Sequence, residues 1–263
     1  MKLVFYILGL SISFLSCQKV VNLKLNTSSS QIVIVGKISD QIGVDTVTIT
    51  KSVNFSDPNV FPQVSGANVY ITDNDGNKDT LQELVAGKYI TKPSFKGVDG
   101  RTYTLTVISE GQTYVAQSTI PKVVDIDSVY LGSNMNGGFG GGSGRGGSEK
   151  SVNVVFKDQP ELLNYYNLVE YVNNVEQSIN TISDHLLDGQ SITRSMRAKN
   201  LKKGDSITIL LEGIDSAVYE YFRTSGRSNT ESAMPSNPVS NFSNKALGYF
   251  NAYSVSKKTI VIK

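Results

Sequence analysis

The chain has 263 residues, with 25 Lys and Arg against 23 Asp and Glu and a formal net charge of +2. That balance leaves no basic stripe for a nucleic acid, so no such partner is expected. One cysteine and one histidine exclude an internal disulfide, a zinc ribbon and a CxxC redox pair, and leave a single candidate base for any Ser-His-Asp triad.

Met1-Lys2 precede an apolar run, LVFYILGLSISFL (3–15), which closes on Ser16 and Cys17. A charge, a short apolar run and a small residue form a secretory signal. The run falls short of the roughly 20 residues a spanning helix needs. A cysteine directly after such a segment resembles the lipobox of bacterial lipoproteins. That resemblance implies removal of residues 1–16 and lipidation at Cys17. Each buried methylene contributes about 0.8 kcal/mol and firm attachment needs at least two chains, which a diacylated thioether supplies. Residues 17–30, ending in the polar LKLNTSSS, read as a lipidated tether.

Strand signals follow. QIVIVGKI (31–38), VDTVTIT (44–50), ANVYITD (67–73), RTYTLTVIS (101–109) and QTYVAQS (112–118) are short alternating runs separated by turn residues, as in antiparallel sheets with one buried face. They predict an immunoglobulin-like antiparallel β-sandwich over 31–121, closed by Pro121. A second β-rich domain, sandwich or barrel-like, is expected over 122–263. Its strand candidates are VVDIDSVYL (123–131), KSVNVVFKD (150–158), YYNLVEYV (165–172), QSITRSM (190–196), DSITILLE (205–212) and KTIVIK (258–263). The Gly-rich segment 137–148 interrupts it. A helix is predicted near 215–226, capped by Asp215 and ended by Gly226, followed by a long loop from Arg227 to Asn244.

Few motifs carry chemistry. Gly142, Gly144 and Gly147 match GxGxxG, but a strand follows them where a dinucleotide fold needs a helix. DNDGN (73–77) reads as a hairpin turn on Asp75-Gly76; Lys78 stands where a calcium loop needs glycine. His185 lies between Asp184 and Asp188 among turn residues and reads as a surface residue. No catalytic residue, metal site or cofactor is expected. Of 13 tyrosines, Tyr219, Tyr221, Tyr249 and Tyr253, with Phe250, are the candidate partner contacts, since aromatic residues are common at interfaces. Thr46, Thr80, Ser128, Ser206 and Ser216 each follow an aspartate. The five tripeptides resemble the acceptor pattern for O-linked glycans on exported proteins of the Bacteroidota, and turn and capping chemistry accounts for the same residues.

Read in order, CQKVVNL, IVIVGKIS, GANVYITDNDG, GKYITKPSFKGVDGRTYTLTV, YVAQSTIPKVVDIDSV, LNYYNLVEY and NPVSNFSNKALGYFNAYSV resemble outer-membrane lipoproteins of the Bacteroidota that carry domain of unknown function 4249. The resemblance covers nearly the whole chain after the signal. It implies a lipid-anchored outer-membrane protein, on the periplasmic or the surface face, often encoded near TonB-dependent transporters. The expectation is a non-enzymatic binding or accessory module whose partner is such a transporter or another envelope protein. The alternatives are an envelope hydrolase acting on glycan or peptide, and a structural or adhesive surface protein.

Overall fold

The computed structural model describes residues 29–54, 57–133, 150–197, 201–227 and 237–263. Cys17 with its leader, the Gly-rich segment 137–148 and residues 228–236 of the expected loop lie outside the described residues.

The described chain is mostly strand. In order it forms β1 (Ile32–Ser39), β2 (Thr46–Lys51), β3 (Asn68–Asp73), β4 (Lys78–Thr80), β5 (Gln82–Val85), β6 (Lys88–Ile90), β7 (Thr102–Ser109) and β8 (Gln112–Thr119). There follow β9 (Ile126–Ser133), β10 (Lys150–Lys157), β11 (Tyr165–Val172), β12 (Val175–Ser183), β13 (Ser191–Arg197), β14 (Ser206–Ile214), a helix α1 (Ser216–Arg227) and β15 (Leu247–Val261). Eight strands make one large sheet in the order β12-β11-β14-β15-β1-β2-β6-β5. Two smaller sheets, β4-β3-β7-β8 and β13-β10-β9, complete the layers. Among the described residues no helix is long and apolar enough to cross a membrane.

Period-two alternation builds both cores. Ile34, Val47 and Ile49 of the large sheet meet Val69, Ile71, Leu105 and Val107 of the four-stranded sheet. Leu168, Ile207, Ile209 and Leu211 meet Val152, Val154 and Phe156 of the three-stranded sheet. β15 runs through both cores. Phe250 and Ala252 pack into the first, and Ile260 and Ile262 pack against the second. These even-numbered residues share one face of the strand, so both small sheets sit side by side on one face of the large sheet. β15 pairs in parallel with β1, Val35 opposite Tyr249 and Lys37 opposite Asn251, so the sandwich expected over 31–121 is completed by residues beyond 121.

Turn chemistry agrees with the conformations. Glu110 and Gly111 both have positive φ, as the tight hairpin between β7 and β8 requires. In DNDGN, Gly76 has φ +87° and the Asp73 carboxylate accepts from the backbone N–H of Asp75 and Asn77. These bonds close the β3–β4 hairpin.

The expected helix runs on through Gly226 to Arg227, so Gly226 does not end it. Asp215 is its N-cap, accepting from Val218 N at 2.9 Å. The described end of the expected loop is docked, not free. Phe242 bridges to Ala116, Ser243 N donates to Val115 O at 2.8 Å, and Asn241 exchanges two bonds with the backbone of Phe250. This covers the edge of β8, which would otherwise present unpaired backbone groups.

Candidate functional site

The opposite face of the large sheet carries α1 and an unusual set of buried polar side chains. Even-numbered residues of β15 and β11, and odd-numbered residues of β14, point into the cores. Alternation therefore places Asn167, Glu212, Tyr249, Asn251 and Tyr253 on the face away from them, together with Lys37 of β1. Register brings them into neighbouring rows. Asn167 lies opposite Glu212 on one side and Thr181 on the other, and Asn251 lies opposite Lys37.

α1 packs on this face through aromatic contacts. Tyr219 lies against Tyr165 with centroids 4.6 Å apart. Tyr221 and Phe222 lie 4.5 and 5.1 Å from Tyr249. The cap residue Asp215 also accepts from Ser118 Oγ at 2.5 Å and Thr119 N at 3.1 Å, tying the helix start to β8.

Two groups stand out. Asn251 is 0% exposed, and neither its amide nitrogen nor its amide oxygen has a hydrogen-bond partner among the described residues. A buried unpaired polar group costs about 1–3 kcal/mol, so each one calls for an explanation, whether an ordered water, an ion or a functional role. Glu212 is 4% exposed and accepts only a long bond, 3.5 Å, from Asn167 Nδ2, which Thr181 orients by donating to Asn167 Oδ1 at 2.7 Å. Burial pushes its carboxyl up; the Lys37 ammonium and the Asn167 bond pull the other way. Burial and the Glu212 charge likewise raise the hydroxyls of Tyr249 and Tyr253. At the rim, Tyr171 donates to the exposed Glu176 at 3.3 Å. The cluster thus presents an amide, a carboxyl, phenols and an ammonium beside aromatic faces, a set suited to holding a polar ligand by hydrogen bonds and stacking.

Of the candidate contact residues, Tyr219, Tyr221, Tyr249 and Tyr253 all belong to this face or to the helix over it. Phe250 does not. It is 0% exposed inside the first core, because its neighbours Tyr249 and Asn251 take the opposite face, so it has no surface to offer a partner. The candidate glycan acceptors are exposed, as Thr80 and Ser216, or half-buried, as Thr46, Ser128 and Ser206. Several of the preceding aspartates have structural tasks. Asp45 accepts from Ser39 N, Asp79 pairs with Lys92, Asp205 accepts from Lys202 N and Asp215 caps α1. His185 is exposed.

Glu212, Asn251, Asn167 and Lys37 escaped sequence reasoning. Their signal was a lone polar residue inside an apolar or aromatic strand: ITILLEGI, GYFNAYS, YYNLVEY and IVIVGKIS. A groove of about 270 Å³ lined by Asp73, Lys78, Asp79, Lys92 and Arg101 is less informative. Arg101 pairs with Asp73 and Asp75, Lys92 with Asp79, and Lys78 sits over the Tyr70 ring, so most of its charged groups already have a partner within the groove.

A family model described as a domain of unknown function (DUF4249) matches residues 18–259. No curated protein matches the chain.

Proposed function

This chain belongs to the DUF4249 family, and we propose that it is a lipid-anchored binding module of a Bacteroidota outer membrane, tethered at Cys17, that holds a partner or ligand on the helix-covered face of its large sheet. The carrying observation is the set of half-buried side chains on that face, Lys37, Tyr171, Tyr221 and Tyr253, gathered around the buried Glu212 and Asn251. Glu212, Tyr249, Tyr253 and Lys37 supply the polar and aromatic surroundings. A TonB-dependent transporter or another envelope protein is the partner this reading favours. The test is affinity purification from detergent-solubilised envelopes. The native protein is expected to retain a partner that the Lys37→Ala and Tyr253→Ala variants lose, whereas recovery of a lone monomer in every mild detergent opposes the reading. Anchoring is tested separately. Label from a radioactive fatty acid is expected on the native protein and absent after Cys17→Ser.

The hydrolase reading draws on Glu212 alone, as a carboxyl raised by burial and so suited to general acid work. It requires turnover of envelope glycan or peptide that Glu212→Gln abolishes; binding without turnover favours the module. For a structural or adhesive protein, protease shaving of intact cells is expected to remove it.

A further inference from the structure

A second polar cluster lies away from this face, where the end of β10, the 158–164 segment and the β12–β13 turn meet. Asp158, Asp184 and Asp188 each bring one carboxylate oxygen into a group whose members all lie within 4.8 Å of one another. Asp158 is 2% and Asp184 1% exposed. Among the described residues none of the three has an ion-pair partner.

Each carboxylate is held by one backbone N–H. Gly189 N donates to Asp158 Oδ2, Asn164 N to Asp184 Oδ2 and Glu161 N to Asp188 Oδ1, each at 2.9 Å. Tyr166 donates its hydroxyl to Asp158 Oδ1 at 2.5 Å. One buried oxygen, Asp184 Oδ1, has no hydrogen-bond donor among the described residues. Adjacent buried carboxylates without a counter-charge must share a proton or bind a cation, because an uncompensated buried anion is too costly.

We propose that Asp158, Asp184 and Asp188 form a calcium-binding site that clamps the β12–β13 turn to the end of β10. The donors are hard oxygens, which suit calcium and magnesium rather than zinc or copper. Calcium fits the better of the two, since it accepts flexible carboxylate geometry at about 2.3–2.6 Å, whereas magnesium demands a near-ideal octahedron. Leu187, inside the clamped turn, packs against the second core, so the ion would brace that half of the molecule. The sequence reading weighed calcium only at DNDGN, whose aspartates close a hairpin; the three residues of this site come from two segments that only the fold brings together.

The test is terbium luminescence of the purified, chelator-dialysed protein, excited through tyrosine, because Tyr166 touches the site. Sensitised emission is expected, displaced by calcium with a Kd of about 10⁻⁴–10⁻³ M, the range of extracellular modules. Calcium at 10 mM is expected to raise the Tm. Asp188→Asn, at an exposed position, is expected to weaken calcium at least about tenfold while leaving the metal-free Tm unchanged, and Asp184→Asn to abolish the emission. No emission and no Tm shift with the native protein would mean the acids share a proton and would overturn the site. Emission undiminished in both variants would place the ion elsewhere and overturn it equally.

Discussion

Asn251 and Asp45 show at the scale of single residues how local cost points to use. The buried Asn251 amide has no hydrogen-bond partner among the described residues, so removing it relieves the fold. Asn251→Leu is expected to raise stability by about 1 kcal/mol, or roughly 3 °C in Tm for a chain of this size. A lower Tm by calorimetry would show that the amide is satisfied within the fold. Asp45 is a case for pH. Its carboxyl is pushed up to about 6, chiefly by burial, against bonds from Ser39 and with a further push from Asp40. An aspartate with a folded pKa above its unfolded value of 3.8 binds its proton more tightly in the folded state. Its contribution to stability is therefore fully present below about pH 4 and is lost as pH rises to about 6. Asp45→Asn is expected to remove about 9 °C of the fall in Tm between pH 4 and pH 7. An unchanged Tm profile across that range sinks the assignment.

At the scale of elements, β15 and α1 carry the architecture. Gly248 in β15 has φ +93°, and a Cβ there would meet Ile34 O at 2.0 Å. The parallel β1–β15 pairing thus depends on a residue without a side chain. Gly248→Ala is expected to cost on the order of 3–5 kcal/mol, read from the denaturant midpoint; a loss under 1 kcal/mol would mean the strands separate freely. Asp215 joins α1 to β8 and β15 in one cap. It accepts from Val218 N and Ser118 Oγ, and Ser118 Oγ accepts in turn from Ala252 N. Asp215→Ala is expected to cost about 2 kcal/mol, more than an isolated cap. A stability change indistinguishable from zero in urea titration would show that aromatic packing alone seats the helix.

For the whole molecule, the question is whether the first sandwich stands alone. The segment 29–121 lacks Phe242, Phe250 and Ala252 from its own core and would expose the β1 edge that β15 covers. Such a fragment is expected to be unfolded or aggregated, and the full chain to unfold in one cooperative transition. Dispersed NMR resonances from the fragment alone would refute this shared core.

Alternating runs such as TYTLTVIS and SVNVVFK declared their strands because a half-buried sheet writes its buried face into every second residue. β5 is exposed throughout and β12 is exposed or half-buried with no buried residue, so neither carries that pattern. Asn173 and Asn174, both with positive φ, were the readable sign of the β11–β12 hairpin. The first half of β15 is buried on both faces, which erases alternation. The polar residues of the site were visible one at a time, in strands far apart along the chain. The amino-acid order by itself determined the β-rich class, the helix with its Asp215 cap and the hairpin turns, because propensity, periodicity and φ preference act over a few residues. Only the tertiary structure decided that the last strand completes the first core, that Asn167, Glu212 and Asn251 share a face, and that Asp158 meets Asp184, because strand register and long-range packing set those contacts and no local pattern encodes them.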